Sequence, residues 1–554
     1  MISLNGVVFM KLSKRILSLA LVGLSVLSLS SCLILDGKGT RVNKDLSYTW
    51  DESNYDALLK NMDRFEKALK GKNDLELVGS WLSVQRTIYA CATYRTIEHI
   101  NYAQGDDSAY DRYMYFYDIV SLASKWQESL YQDMYDSAYK DQFFQGYTEE
   151  EIQKLINSKK PDAYYELEKK QEELVKGYRD LTDEEIQDHT ADIYLALVKN
   201  YKEEAKLLGY DSYIDYAYKD IYEREYTPYE VSTFNGYVKD TVLPLMQNLK
   251  ALREDKVNAL TNEEKNRINS FHTANYNTMI EDIKDYGTFI GDSYKNSLDF
   301  ILKDGYIRLG GDNANIDGAF TTYLYMDSLD QPIIYFGPSY QNTLTFIHEF
   351  GHYNNFKVNG AGAMSYDLAE THSQANELLF LAWLSKNDKS FTQNVVDVLH
   401  IDEVLDACRV IILATMVNDF EYRVYHSSDT LSIADFDTYY QEAGDALGGY
   451  DTIMDAIYGE NKATATAYWK RVVLENPCYY ISYAMSKIPS LEIYSYARND
   501  LALARQKYKK TYTLENSLKL TEFLRVLDNA ELYSPFDSKA FDLIESLNII
   551  ETNS

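Results

Sequence analysis

Two histidines four residues apart, with a glutamate directly after the first, are the most chemically specific feature of this chain. Thr343 to Phe356 reads TLTFIHEFGHYNNF and contains His348-Glu349-Phe350-Gly351-His352. On a helix, residues four apart lie one above the other, so His348 and His352 project their imidazoles to one side. Two imidazoles on one face supply half of a tetrahedral zinc shell, and Glu349 is placed beside the water such a site holds. The chain has only eight histidines, so the pairing is not a by-product of composition. The competing reading is a helix with two surface histidines and an unrelated glutamate. Phe346, Ile347 and Phe350 predict instead a buried helix, where a histidine pair and a carboxylate need a reason to be.

The third ligand can be narrowed from spacing. A Met-turn zincin needs glycine and histidine three and six residues after the second histidine; Asn355 and Val358 stand there, which excludes that class. The other common solution is a glutamate from a following helix, the gluzincin arrangement. Glu370 and Glu377 both lie in Asp367–Trp383, which reads as an amphipathic helix, and spacing alone does not choose between them.

Glu370-Thr371-His372-Ser373-Gln374-Ala375-Asn376-Glu377 fits the pattern E-x-x-S-x-x-x-E. Here the sequence resembles the thimet oligopeptidase and oligoendopeptidase F family of zinc peptidases. The resemblance implies one Zn2+ per chain held by His348, His352 and Glu370, with Glu377 supporting a ligand from behind. His372, two residues past Glu370, is expected in a supporting or surface position. Upstream, Gly318-Ala319-Phe320 and Gln331-Pro332-Ile333-Ile334-Tyr335 look like the family's strand segment, so Ile333, Ile334 and Tyr335 are expected to bind an extended peptide through main-chain hydrogen bonds. Ala205 to Glu230 has a fainter family look. Downstream, Pro477-Cys478-Tyr479-Tyr480-Ile481-Ser482-Tyr483 resembles the family's tyrosine segment, which implies that Tyr480 and Tyr483 reach substrate. The family usually carries a histidine a few residues ahead of those tyrosines; Val472, Val473 and Leu474 supply none. The convincing likeness covers about residues 315–500.

On this reading Glu349 takes a proton from the attacking water and passes it to the leaving amine, while Tyr483 donates to the developing oxyanion. The implied fold is mainly α: a large helical body with a deep substrate channel, and a small sheet or hairpin beside the zinc helix.

The rest of the chain must position these groups. At 554 residues it is too long for one compact core. Apolar residues at 45% and charged residues at 25% fit a globular protein. Gly (25) and Pro (8) together are about 6% of the chain, roughly half of average usage, too few for the turns of a sandwich or barrel. Long helices follow, with Tyr110, Tyr113 and Tyr117 on one face, as are Leu195, Val198, Tyr201 and Ala205. The charged stretch from Thr148 to Asp188 reads as solvated helices, and Gly209 as a helix C-cap. Gly310–Pro338 breaks the pattern, with β-type runs Phe320–Tyr325 and Pro332–Phe336. The expected organisation is 1–31 leader, 32–49 tether, 50–225 N-terminal helical region and 226–554 catalytic region.

A formal charge of −30 argues against nucleic acid as a partner. Lys11, Lys14 and Arg15 precede the apolar run Ile16–Leu29, which is short of the roughly twenty residues of a bilayer span. Leu29-Ser30-Ser31-Cys32 then resembles a bacterial lipobox, which implies lipidation of Cys32 and an extracytoplasmic protein anchored to the cell membrane by two acyl chains. So acidic a chain would be repelled by an anionic surface, so the lipid and not a basic patch must hold it there. Three cysteines remain, Cys91, Cys408 and Cys478, too few and too scattered for a disulfide framework; they read as buried apolar residues. The partners are then oligopeptides and the membrane. The alternative is an inactive peptide-binding lipoprotein that keeps the zinc scaffold, supported by the missing histidine; a non-metal solute-binding lipoprotein would need alternating strands and helices that are not seen.

Overall fold

The computed structural model describes residues 41–179, 183–326, 329–362, 364–427, 431–459, 469–470, 477–514 and 518–548. The leader with Cys32, and Val472–Leu474, lie outside them. The chain divides into two compact units: one runs to Pro161 and adds Ser297–Gln341, the other combines Asp162–Asn296 with the chain from Asn342 onward. The division therefore does not fall at residue 225. Residues 162–225 cluster with the metal-motif helices, and the strand segment clusters with the N-terminal helices.

In the first unit, α1 (Glu52–Gly71), α2 (Asp74–Ala103) and α3 (Ser108–Asp136) pack around Phe65, Trp81 and Trp126. Their starts are fixed locally. Asp51 accepts hydrogen bonds from the Ser53 and Asn54 amides, and Asn73 from Glu76. The stripe that α3 buries is Phe116, Ile119, Val120, Ala123 and Leu130; Tyr110, Tyr113 and Tyr117 form a half-buried flank beside it.

Three strands complete this unit in the order β1 (Ile307–Leu309), β3 (Gln331–Phe336), β2 (Ala319–Leu324). β2 and β3 form the expected antiparallel pair, while β1 joins parallel on the other side. β3 is thus the central strand, and Pro332–Phe336 is an unbroken buried run, as a strand covered on both faces requires. This corrects the peptide-binding expectation. Ile334 pairs with Ile307 and Thr321, and Tyr335 with Arg308 and Phe320, so their edges are occupied; Ile333 pairs with Thr322, and all three side chains are fully buried. The supposed tether also ends early. The Asn43 amide donates to Ile307 O at 2.7 Å and Arg41 to Leu302 O at 2.9 Å, with Val42 and Leu46 buried, so residues 41–46 lie along the β1 side.

The second unit is helical, apart from a single bridge between Asn275 and Asn342 among its described residues. α4 (Asp183–Leu207) buries Tyr194, Leu197 and Val198 and sets Tyr194 against Phe420 of α7 (Gln393–His426), which is why it belongs here. It ends as expected: Gly209 has φ +82, and the Tyr210 amide donates back to Ala205 O. α5 (Thr343–Asn359) and α6 (Tyr366–Asn387) carry the metal motif, and α8 (Ile481–Asn499) and α9 (Leu501–Tyr512) pack on α6. α6 is buried almost all round, so it is a core helix and not the amphipathic one expected. Cys91, Cys408 and Cys478 are all buried and free.

Candidate metal centre

α5 begins where Asn342 accepts from the Thr345 amide, and its inner face is set by Phe346, Ile347, Phe350 and Tyr353, all fully buried. Its crossing with α6 is unusually close at one place. A Cβ on Gly351 would stand 2.6 Å from His372 O and 2.8 Å from Ser373 Cα, so only glycine allows the helices to meet there. Asn376 fastens the same crossing: its Nδ2 donates to Ile347 O at 2.7 Å, while its Oδ1 accepts from the Tyr286 and Tyr294 hydroxyls. Ile347 precedes His348, so this bond fixes the main chain that aims the first histidine.

The crossing brings His348, His352 and Glu370 together, with one donor atom from each lying within 4.8 Å of the others. Glu370 Oε2 is 3.7 Å from His348 Nε2 and 3.9 Å from His352 Nε2. Bonds of about 2.0–2.2 Å from zinc to N and O place tetrahedral donors about 3.4 Å apart, so both carboxylate–imidazole separations are within about half an ångström of that spacing. The donor set, two imidazoles and a carboxylate, fits a divalent metal of the zinc type.

Behind the first imidazole, His348 Nδ1 donates to Glu377 Oε1 at 2.5 Å, which turns Nε2 toward the cluster. Burial by itself lowers the His348 pKa, but the charge and hydrogen bond of Glu377, with Glu349 and Glu370 behind them, push it up to about 9. His352 goes the other way, down to about 3, from burial and then the charge of His348. The two imidazoles are thus pushed in opposite directions, His348 toward its protonated form and His352 toward its neutral one.

Glu349 is 5% exposed and close enough for its charge to act on both His348 and the Tyr483 hydroxyl. Glu370 also acts on Tyr483, whose pKa is held well above the ordinary phenol value by burial first and these charges next. Tyr480 is half-buried, with its ring 5.4 Å from that of Tyr483. His372 is not a surface residue: it is buried, and its Nε2 bonds Thr511 O at 3.0 Å, tying α6 to α9. Four contributors escaped the sequence reading: Gly351, Asn376, Tyr479 and Arg224. Tyr479 donates to Glu370 Oε1 at 2.7 Å, and Arg224 holds the carbonyl of Cys478. Tyr479 lies inside the tyrosine segment already singled out, directly before Tyr480; Arg224 lies in a tyrosine-rich stretch between Tyr222 and Tyr226.

No protein-family model and no curated protein matches this chain. Solved structures do match, over most of its length. A putative oligoendopeptidase F from Bacillus anthracis str. Ames aligns with a TM-score of 0.64 at 16% identity, over 91% of this chain and 96% of its own. A second putative oligoendopeptidase F gives 0.70 at 15% identity, over 90% and 96%. PZ peptidase A, solved with an inhibitor, gives 0.65 at 16% identity, over 90% and 98%. The chain has the oligoendopeptidase F fold. At these identities the likeness concerns the course of the chain, so the chemistry rests on the side chains described above.

Proposed function

We propose that this chain is a zinc-dependent endopeptidase that hydrolyses short peptides outside the cytoplasmic membrane. The observation that carries the reading is the buried cluster of His348, His352 and Glu370 with the Glu349 carboxylate beside it, on a fold shared with oligoendopeptidases. When bound, a zinc ion supplies Lewis acidity and lowers the pKa of a coordinated water. Glu349 accepts the proton of the attacking water and delivers it to the leaving amine nitrogen. The Tyr483 hydroxyl, kept protonated by its surroundings, donates a hydrogen bond to the oxyanion as charge develops. Tyr480 stands beside it to contact substrate. Lipidation of Cys32 would hold the enzyme at the outer face of the cell membrane; no helix among the described residues is long and apolar enough to cross one.

The test is zinc content together with hydrolysis of a quenched peptide library by the wild type and Glu349→Gln. Zinc in both forms with cleavage only by the wild type is the expected result. Zinc without cleavage by either form would favour the alternative, a peptide-binding lipoprotein, which the absence of a histidine at Val472–Leu474 supports. A chain that takes up no zinc contradicts both.

A further inference from the structure

The two oxygens of Glu370 live in different surroundings. Oε2 faces the histidine pair and takes only a long 3.3 Å bond from Ser373 Oγ, a hydroxyl closer to the Glu370 carbonyl at 3.0 Å, whereas Oε1 accepts a hydrogen bond from the Tyr479 hydroxyl at 2.7 Å. A carboxylate oxygen engaged in a charge-assisted hydrogen bond is withdrawn from a neighbouring metal, which leaves the other oxygen as the single donor. Whether Tyr479 reaches Oε1 depends on the main chain just before it. Cys478 has φ +62, a left-handed conformation that a non-glycine residue keeps only where its surroundings impose it.

The surroundings do impose it. Arg224 Nη2 donates to Cys478 O at 2.8 Å and to Ser482 Oγ at 3.0 Å. Glu421 Oε1 accepts from the Cys478 amide at 2.7 Å, and the Tyr222 hydroxyl donates to Pro477 O at 2.7 Å. The guanidinium is itself held over the rings of Tyr218 and Tyr222, 4.2 and 4.5 Å from their centroids. The Tyr479 ring is then boxed in by Tyr366 and Tyr483, at 5.3 and 5.2 Å.

We propose that Tyr479 is a positioning residue that holds Glu370 as a one-oxygen metal ligand, and that Arg224 and Glu421 set its reach by clamping the main chain of Cys478. The inference rests on the metal centre proposed above and deepens it. It makes the tyrosine segment part of the metal-holding apparatus as well as part of the substrate side. Holding Glu370 to one oxygen keeps the shell at three protein donors, with the fourth position left for water.

The test uses the full chain stripped of metal. Zinc affinity is measured by competition with a chromophoric chelator, and cobalt(II) replaces zinc for the visible spectrum. For Tyr479→Phe, which removes one oxygen atom, the zinc dissociation constant should rise about 10- to 100-fold. Its cobalt bands should weaken as Glu370 turns to bind through both oxygens and the shell becomes five-coordinate. Arg224→Lys keeps the charge but not the fork of donors, and should give a smaller change of the same sign in both readouts. A Tyr479→Phe protein with zinc affinity within twofold of wild type and an unchanged cobalt spectrum overturns the proposal. Should Tyr479→Phe fail to fold, an unchanged Arg224→Lys cobalt spectrum overturns it instead. A wild type that binds no zinc removes the metal centre and this inference together, whereas a wild type that binds with unaffected variants removes this inference alone.

Discussion

Glu377 Oε1 lies 2.5 Å from His348 Nδ1, so the glutamate seven residues past the third donor grips the back of the first. The bond selects the tautomer with Nε2 free for metal and stops the ring from rotating. Glu377→Ala removes both hydrogen bond and charge and should weaken zinc binding about 10- to 100-fold; Glu377→Gln, which can still accept from Nδ1, should lose less. Chelator competition on the two variants checks the order, and equal affinities in all three proteins would show that the contact does not matter.

Gly351→Ala places a methyl against the main chain of α6, at His372 O and Ser373 Cα, where nothing can swing aside. α5 must move off α6 and carry His348 and His352 away from Glu370. The expected outcome is a destabilisation of about 1–3 kcal/mol together with weakened zinc binding. Thermal melting of the metal-free protein and zinc titration read the two effects separately; unchanged zinc affinity would mean that the crossing does not set the donor geometry.

Glu421 makes a pH-dependent contribution of definite sign. Burial raises its carboxyl from 4.5 to about 8, against the smaller opposing effects of the Cys478 amide and Arg224. Between those values the folded chain holds a proton that the unfolded chain has lost, so stability is greatest on the acid side. It falls as pH rises through the window, by at most about 1.4 kcal/mol per pH unit from this one group. Glu421→Gln keeps an acceptor for the Cys478 amide and removes the titration. Urea denaturation with chelator present should show the variant more stable than wild type at pH 8.5, with the gain gone near pH 4.5. A gain that is the same at both pH values would contradict the assignment.

The membrane assignment rests on sequence, since Cys32 lies outside the described residues. Cys32→Ser should move the protein from the membrane fraction of the producing cells to the soluble extracytoplasmic fraction and leave peptide hydrolysis unchanged. Continued membrane association would count against the lipid.

What could be read from the sequence follows the range of the interactions. His348, Glu349 and His352 are legible because their relation is set by one helical turn. Glu370 and Glu377 are seven residues apart on α6, so periodicity puts both on one face, and only the resemblance to a known pattern separated them. The β2–β3 pair was visible as two β-type runs around a turn. β1, three residues long, carried no periodicity, and without it β3 looked like an edge instead of the centre. Arg224 meets Cys478 across 254 positions of sequence, and Tyr479 meets Glu370 across 109, so no local pattern encodes either contact. The boundary near residue 225 failed for the same reason: what assigns α4 to the second unit is the packing of Tyr194 on Phe420.

The most direct test of the central claim is zinc titration of the metal-stripped full chain beside Glu370→Ala. The expected result is one zinc per wild-type chain and a loss of at least 100-fold in affinity for the variant, because two imidazoles remain where three donors stood. Equal affinity and stoichiometry in both proteins would contradict the account, since the carboxylate 3.7 Å from His348 and 3.9 Å from His352 would then take no part in holding the ion.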